Sequence, residues 1–302
     1  MYNIDKEVLR EYRDYTYARS ETYYKKEVLK LPKPWTDHPQ IQTFKFTNVV
    51  RKLDKESKFL TDTVCNNSNL SLFNKAMNCI VFRMINSADG ISFLKEWPID
   101  FEKITVEDLL DWLEWEKWEE AKGTFKGKAR QSNAYFLSAL RMAAYKLDKR
   151  FRGYNTSIPR MILEYSDIVA KALEEKDPKE VYNQLLSVKG LGYFLAYQVW
   201  TDLTYIPEYP YTDNDLIICG PGAEEGACWL LGELEVIPKS IDDPELKEVI
   251  YNTRNRNNED FNKFVVWFQE NLPRLMKEEG LEWNPKDFLH YLPEKEQVWS
   301  PQ

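Results

Sequence analysis

The stretch from Leu185 to Cys228 reads LLSVKGLGYFLAYQVWTDLTYIPEYPYTDNDLIICGPGAEEGAC, and its reading decides the fold. It opens on a short apolar run that breaks at Lys189-Gly190-Leu191-Gly192. From Tyr193 to Leu203 apolar residues recur at helical spacing, so the glycines read as a turn between two helices. Glycine carries no Cβ, and a Gly-x-Gly turn at a helix start lets backbone amides come up to a phosphate. The macrodipole of the helix beginning near Tyr193 favours an anion there, and Lys189 adds a point charge. Lys189, Gly190 and Gly192 are therefore candidate phosphate contacts, with an ordinary glycine helix break as the plainer alternative. Beyond the second helix lie a polar acidic turn, Asp213-Asn214-Asp215, and a second glycine turn, Gly220-Pro221-Gly222.

Helical periodicity extends outward from this segment in both directions. Glu7 to Leu29 reads as a polar helix ended by Leu31-Pro32-Lys33-Pro34, where the prolines cannot continue it. Phe44 to Leu60 has apolar residues on one side at helical spacing, and Leu70 to Ile85 is a strongly apolar helix holding Arg83. Thr105 is a plausible N-cap for Val106 to Lys122, in which Trp112, Trp115 and Trp118 recur every third residue and suit core packing better than base stacking. Ser132 to Leu147, Ile158 to Leu173 and Pro178 to Leu186 follow as helices. A short apolar helix after Gly226 and a helix from Glu259 to Lys277 complete the series. Asp215 to Cys219 has β-branched content without a hairpin series around it. The expected fold is mostly α with few or no strands. Residues 1–34 read as a helical arm and residues 35–302 as one helical domain, with the hairpin at about 185–203 and the part from about 230 unassigned.

Composition narrows the function classes. The chain has 302 residues, 43% hydrophobic and 30% charged, which suits a folded domain. A net charge of −8 argues against coating a polyanion through bulk charge and leaves room for a local basic patch. The clearest basic run is Lys122, Lys126, Lys128 and Arg130 around glycines, either a solvated loop or a backbone contact from Lys126 and Lys128. Cys65, Cys79, Cys219 and Cys228 lack CxxC spacing, and only His38 and His290 accompany them, so no zinc site is expected. Free thiols point to a reducing cytoplasm. The N-terminus is no signal peptide, and no run of about eighteen apolar residues is present to span a membrane.

Two constellations have the chemistry of a site. Asp202, Asp213 and Asp215 flank the hairpin's second helix; an aspartate in a polar turn is otherwise a cap or a solvated charge. Asp202, ten residues after Gly192, is either a further acid or the residue that orients a basic partner. Asn48 and Arg51 fall about one helical turn apart and share a face. Arg51 and Arg83 either join a structural network, with Asp54 or Asp37 as partners of Arg51, or fork onto phosphate oxygens. Gly220, Pro221 and Gly222 make a side-chain-free turn, either a helix start or a close approach to a nucleotide.

Taken together, several blocks resemble one known family. Val188 to Gly192 with Phe194, Ala196, Gln198 and Asp202-Leu203, then Asn214-Asp215 and Gly220 to Ala223, are similar to a glycosylase-derived helical family of bacterial viruses with hypermodified thymine. Trp35-Thr36-Asp37, Phe44 to Asn48, Arg51 with Asp54, and Phe82-Arg83 with Asn86 continue the resemblance. That family comprises amino acid:DNA and polyamine:DNA transferases (α-glutamyl/putrescinyl-thymine pyrophosphorylases) and the helical domain of hydroxymethyluracil DNA kinases. The resemblance implies a helix-hairpin-helix DNA glycosylase-like fold. It also implies displacement of phosphate or pyrophosphate from activated hydroxymethyluracil in double-stranded DNA by an amino acid or polyamine. In this reading Asp215 leads as acid/base, followed by Asp213 and Asp202. Arg51, Arg83 and Asn48 meet the leaving group, and Gly220, Pro221, Gly222 and Gln198 line the substrate pocket. No cofactor is required, a monovalent cation at the hairpin is left open, and the oligomeric state is not specified. The competing readings are a base-excising glycosylase and a non-catalytic DNA-binding module serving a kinase. The chain has no GxxxxGK[ST] loop of its own and no βαβ unit around its GLG.

Overall fold

The computed structural model describes residues 2–43, 46–91, 97–104, 124–125, 128–129, 157–188, 191–232 and 258–289. In chain order the helices begin with α1 (Lys6–Tyr23, running on as a π turn Tyr24–Val28), α2 (Pro39–Thr43) and α3 (Lys55–Leu60, with a π turn Thr61–Cys65). They continue with α4 (Leu72–Ile85), α5 (Ala88–Ile91), α6 (Ser157–Glu174) and α7 (Pro178–Ser187). The last are α8 (Tyr193–Leu203), α9 (Pro221–Leu230), α10 (Asn258–Glu278) and α11 (Lys286–Leu289). A two-residue antiparallel ladder pairs β1 (Thr124–Phe125) with β2 (Lys128–Ala129). The protein is mostly α, and among the described residues no helix is long and apolar enough to cross a membrane.

The chain divides into two compact units, one of residues 1–54 with 217–302 and the other of 55–216. The N-terminal helix belongs with the C-terminal helices because its Leu9 is buried in a core with Cys219, Ala227, Cys228, Phe261 and Phe264. Asp5 fixes that docking twice. Its carboxylate caps the amides of Glu7 and Val8 at 2.9 and 3.0 Å, and its own amide donates to the Leu230 carbonyl at 2.8 Å.

In the second unit, α4 packs against α6 and α8, and α7 packs on both α6 and α8. The buried positions repeat at helical spacing. Tyr165, Val169 and Ala172 lie on α6, and Ala196, Val199, Trp200 and Leu203 on α8. Fully burying a valine or leucine side chain such as Val169, Val199 or Leu203 contributes about 1.5–3 kcal/mol.

The helix expected over Phe44 to Leu60 is not formed as one element. Residues 46–50 are non-helical, Arg51–Leu53 is a 3-10 turn, and α3 starts at Lys55. Tertiary hydrogen bonds take the backbone instead. The Asp54 carboxylate accepts from the amide and side chain of Asn48, both at 2.9 Å, while Arg19 donates to the carbonyls of Thr47 and Asn48. The helices expected at Val106–Lys122 and Ser132–Leu147 lie outside the described residues.

Candidate functional site

The hairpin is built by α7 and α8. Asp177 caps α7 by accepting from Lys179 N at 2.7 Å, and Pro178 fits the first turn, where no amide partner is needed. The helix ends where Val188 N donates to Leu185 O and Leu191 N to Val188 O, each at 3.0 Å. Leu185, Val188 and Leu191 are buried, so the turn is anchored from beneath. Gly192 caps α8 with φ −79° and ψ 173°, a conformation open to any residue, and as a glycine it has no side chain to bond the first amides of the helix. A Cβ at Gly192 would meet nothing within 4 Å. The start of α8 therefore lies behind an exposed residue without a side chain, which leaves room for an anion to approach the helix N-terminus. Lys189 and Gly190 lie outside the described residues, as does Lys126. Lys128 sits in β2. Gln198 is half-buried on α8, and Tyr182 bridges the two helices by donating to Tyr193 O at 3.2 Å. Burial pushes the Tyr182 phenol up to about 12, so it serves as a neutral donor.

Ten residues along α8, Asp202 is fully buried, and its partner is Arg83 on α4, 4% exposed. The guanidinium grips the carboxylate as a fork, Nε on Oδ2 and Nη2 on Oδ1, the latter at 2.7 Å. Its remaining donors reach Asn86 Oδ1 at 2.9 Å and Ser57 Oγ at 3.3 Å. Asn86 ends α4 in the left-handed conformation at φ 49°, so one arginine ties the hairpin, the α4 cap and α3 together. Cys65 and Cys79 are buried, and Cys65 Sγ lies 3.8 Å from the Asp202 carbonyl. The hydrogen bond that Cys79 donates to Cys65, together with burial, holds the Cys79 thiol well above its ordinary range, which keeps it from acting as a thiolate. This arrangement is a locked ionic centre: Asp202 orients a cation, and the Arg83 donors are committed to protein groups.

The other sequence candidates spread over both units. Asp215 is exposed and folds back on its own turn, accepting from Thr212 N at 2.6 Å and Thr212 Oγ1 at 2.9 Å. Asp213 is half-buried in the same turn, and Tyr197 of α8 donates to Leu216 O at 3.3 Å, tying the turn to the hairpin. Gly220, Pro221 and Gly222 start α9 in the first unit, with Pro221 at its first turn and open space where a Gly222 Cβ would lie. Asn48 and Arg51 also belong to the first unit, where Asn48 is held by Asp54 and the Asp54 amide donates to Arg51 O at 2.9 Å. Arg51 and Arg83 thus belong to different units.

Some informative residues gave little signal in the sequence. Glu224 on α9 is 4% exposed, and its Oε1 has no hydrogen-bond partner. Burial pushes its carboxyl above the usual range. In the sequence it reads as half of a solvated Glu-Glu pair. Asn74 and Asn78 had a better signal, being polar at core spacing within an apolar helix. Asn78 takes the Ile99 amide and carbonyl at 2.9 and 2.8 Å, and Asn74 takes the Phe101 amide at 2.8 Å, so α4 pins residues 99–101. Among the described residues no group of His, Cys, Asp or Glu could hold a metal ion.

Residues 6–285 match the family described as 5-hmdU DNA kinase, helical domain, and the chain belongs to that family. It is similar to the 5-hmdU DNA kinase of Bacillus phage SP10, at 24% identity over 239 residues. That alignment covers 72% of this chain and 35% of the kinase, so the chain spans about a third of the relative's length. No solved structure matches the chain.

Proposed function

We propose that the chain acts on double-stranded DNA carrying 5-hydroxymethyluracil. In this reading it transfers an amino acid or polyamine onto a hydroxymethyluracil activated as a phosphate or pyrophosphate ester. The observation that carries the reading is the family match over residues 6–285. The side-chain-free start of α8 supports a grip on the DNA backbone next to it. In the reaction the amine gives up a proton, its nitrogen forms a bond to the 5-methylene carbon, and the carbon–oxygen bond breaks to release phosphate or pyrophosphate. Asp215 leads as the proton acceptor because it is the exposed carboxylate beside the hairpin, with Asp213 next. Asp202 and Arg83 act together, holding α8 against α4.

A second reading is that the chain delivers DNA to a kinase without turnover. The observation in its favour is that the matched part of the phage kinase is only 35% of that protein. Mass spectrometry of nucleosides after incubating activated DNA with the protein and a mixture of amines separates the readings. Aminated thymine nucleosides are the expected product, and Asp215→Ala should abolish them. Binding without turnover favours the delivery module, free base and abasic sites favour a glycosylase, and undiminished transfer by Asp215→Ala removes that residue from the acid/base role.

A further inference from the structure

The end of the N-terminal helix has a surface that neither the hairpin nor the acidic turn uses. After the π turn, residues 28–34 are exposed without interruption. Val28, Leu29 and Leu31 are 47%, 47% and 45% exposed, half of the six large hydrophobics most exposed among the described residues. Single exposed aliphatics are ordinary, but three within four positions form a patch. Lysines frame it. Lys25, Lys26, Lys30 and Lys33 fall within nine residues, against Glu21 and Glu27, in a chain whose net charge is −8.

The patch is held in shape. Leu29 N donates to Tyr24 O and Leu31 N to Lys25 O, each at 2.9 Å, folding the segment back on the helix end. Trp35 Nε1 donates to Leu31 O at 2.7 Å, and the ammonium groups of Lys33 and Lys26 lie 5.2 and 5.8 Å from the Trp35 ring centre. The carboxylates engage Lys25, Lys26 and Lys30 at 2.8, 2.9 and 3.1 Å, with the ammonium groups still partly in water. Exposed pairs of this kind are worth about 0–1 kcal/mol, so a polyanion competes with them readily.

We propose that this tip, from Lys25 to Trp35, is a DNA-contacting surface. Its lysines reach backbone phosphates, and Leu29 and Leu31 lodge beside a disturbed base step. The argument is one of complementarity. Duplex DNA offers closely spaced phosphates around an apolar stack of bases, and proteins that insert aliphatic side chains at a base step flank them with basic residues. A braced loop with two projecting leucines fits one opened step, whereas a lipid surface would be met by a long apolar helix face, which α1 lacks. The proposal rests on the DNA reading above and adds a second contact, away from the hairpin in sequence.

The test is fluorescence anisotropy with the full chain on a short duplex, intact or containing one abasic site, across a salt series. The Lys26→Glu, Lys30→Glu, Lys33→Glu triple variant should weaken binding about tenfold or more and flatten the salt dependence by two to three phosphate contacts, at about 0.9 in slope each. Leu29→Ser with Leu31→Ser should reduce the preference for the abasic duplex and leave the salt slope unchanged. All these positions are exposed, and a thermal melt checks that each variant folds. If the wild-type chain binds no DNA, the DNA reading falls and this proposal with it. If it binds and both variants match it, the tip proposal alone is overturned. Loss of binding to vesicles rich in phosphatidylserine, with DNA affinity unchanged, overturns it in favour of a membrane contact.

Discussion

Asp202 shows how far a single side chain can be read in isolation. Its place after the hairpin made it a candidate acid or the partner of a basic group, and a sequence cannot reveal that the partner lies 119 positions earlier on α4. Burying two charges is favourable only when both are fully bonded, as they are in this pair, and removing one strands the other. Asp202→Ala should therefore lower stability by about 3–5 kcal/mol in urea unfolding, because Arg83 stays buried without its carboxylate. A loss under about 1 kcal/mol would mean that the pair is not desolvated. Glu224 makes the opposite case, an acid buried with nothing to satisfy Oε1. Its carboxyl is raised by burial, so the folded state holds the proton more tightly than the unfolded chain. The stability this provides is fully present below the ordinary glutamate range and is lost as pH rises through the raised value. Glu224→Gln, neutral at every pH, should match the wild type in mild acid and exceed it at pH near 8 in urea midpoint. Equal midpoints at both pH values would sink that account.

Helices were the most legible level. α1, α4, α6, α7, α8 and α10 follow apolar spacing bounded by proline, glycine and capping residues, and those signals are local. The helical pattern of residues 46–54 loses to hydrogen bonds that Arg19 donates and the Asp54 carboxylate accepts, which no local pattern records. The glycines of the hairpin carry a sharper prediction. Gly192 has an ordinary φ, and a Cβ there meets nothing, so the fold itself does not require glycine. Gly192→Ala should thus leave thermal stability unchanged or raise it by about 0.4–1 kcal/mol. If phosphate approaches these amides, the same methyl group should weaken DNA binding severalfold in anisotropy. Unchanged affinity would take the α8 start out of the DNA contact.

At the scale of the molecule, composition indicated a folded, acidic, mostly helical protein and indicated nothing of its division. The candidate site was half legible: the hairpin and its acids group in one unit, while Asn48, Arg51 and Gly220 to Gly222 belong to the other. Spacing along the chain cannot distinguish a neighbour in space from a neighbour in sequence. Residues 55–216 are contiguous and contain both partners of the ionic centre. That fragment, expressed alone, should unfold cooperatively in urea, and a broad, non-cooperative transition would show that it depends on the remainder.

The first unit is assembled from two pieces of chain separated by the whole of the second. Leu9 has no core to enter until Phe261, Phe264 and Met276 exist, and the Asp5 amide waits for Leu230. On the ribosome, α1 therefore emerges long before its core partners and finds its place only after they follow. At about 5–20 residues per second, it spends at least ten seconds or so as an unsheltered segment. Its polar, charge-rich sequence is the kind that tolerates such a wait: a helix with a greasier face would offer passing chains a place to stick while its true partners were still being made.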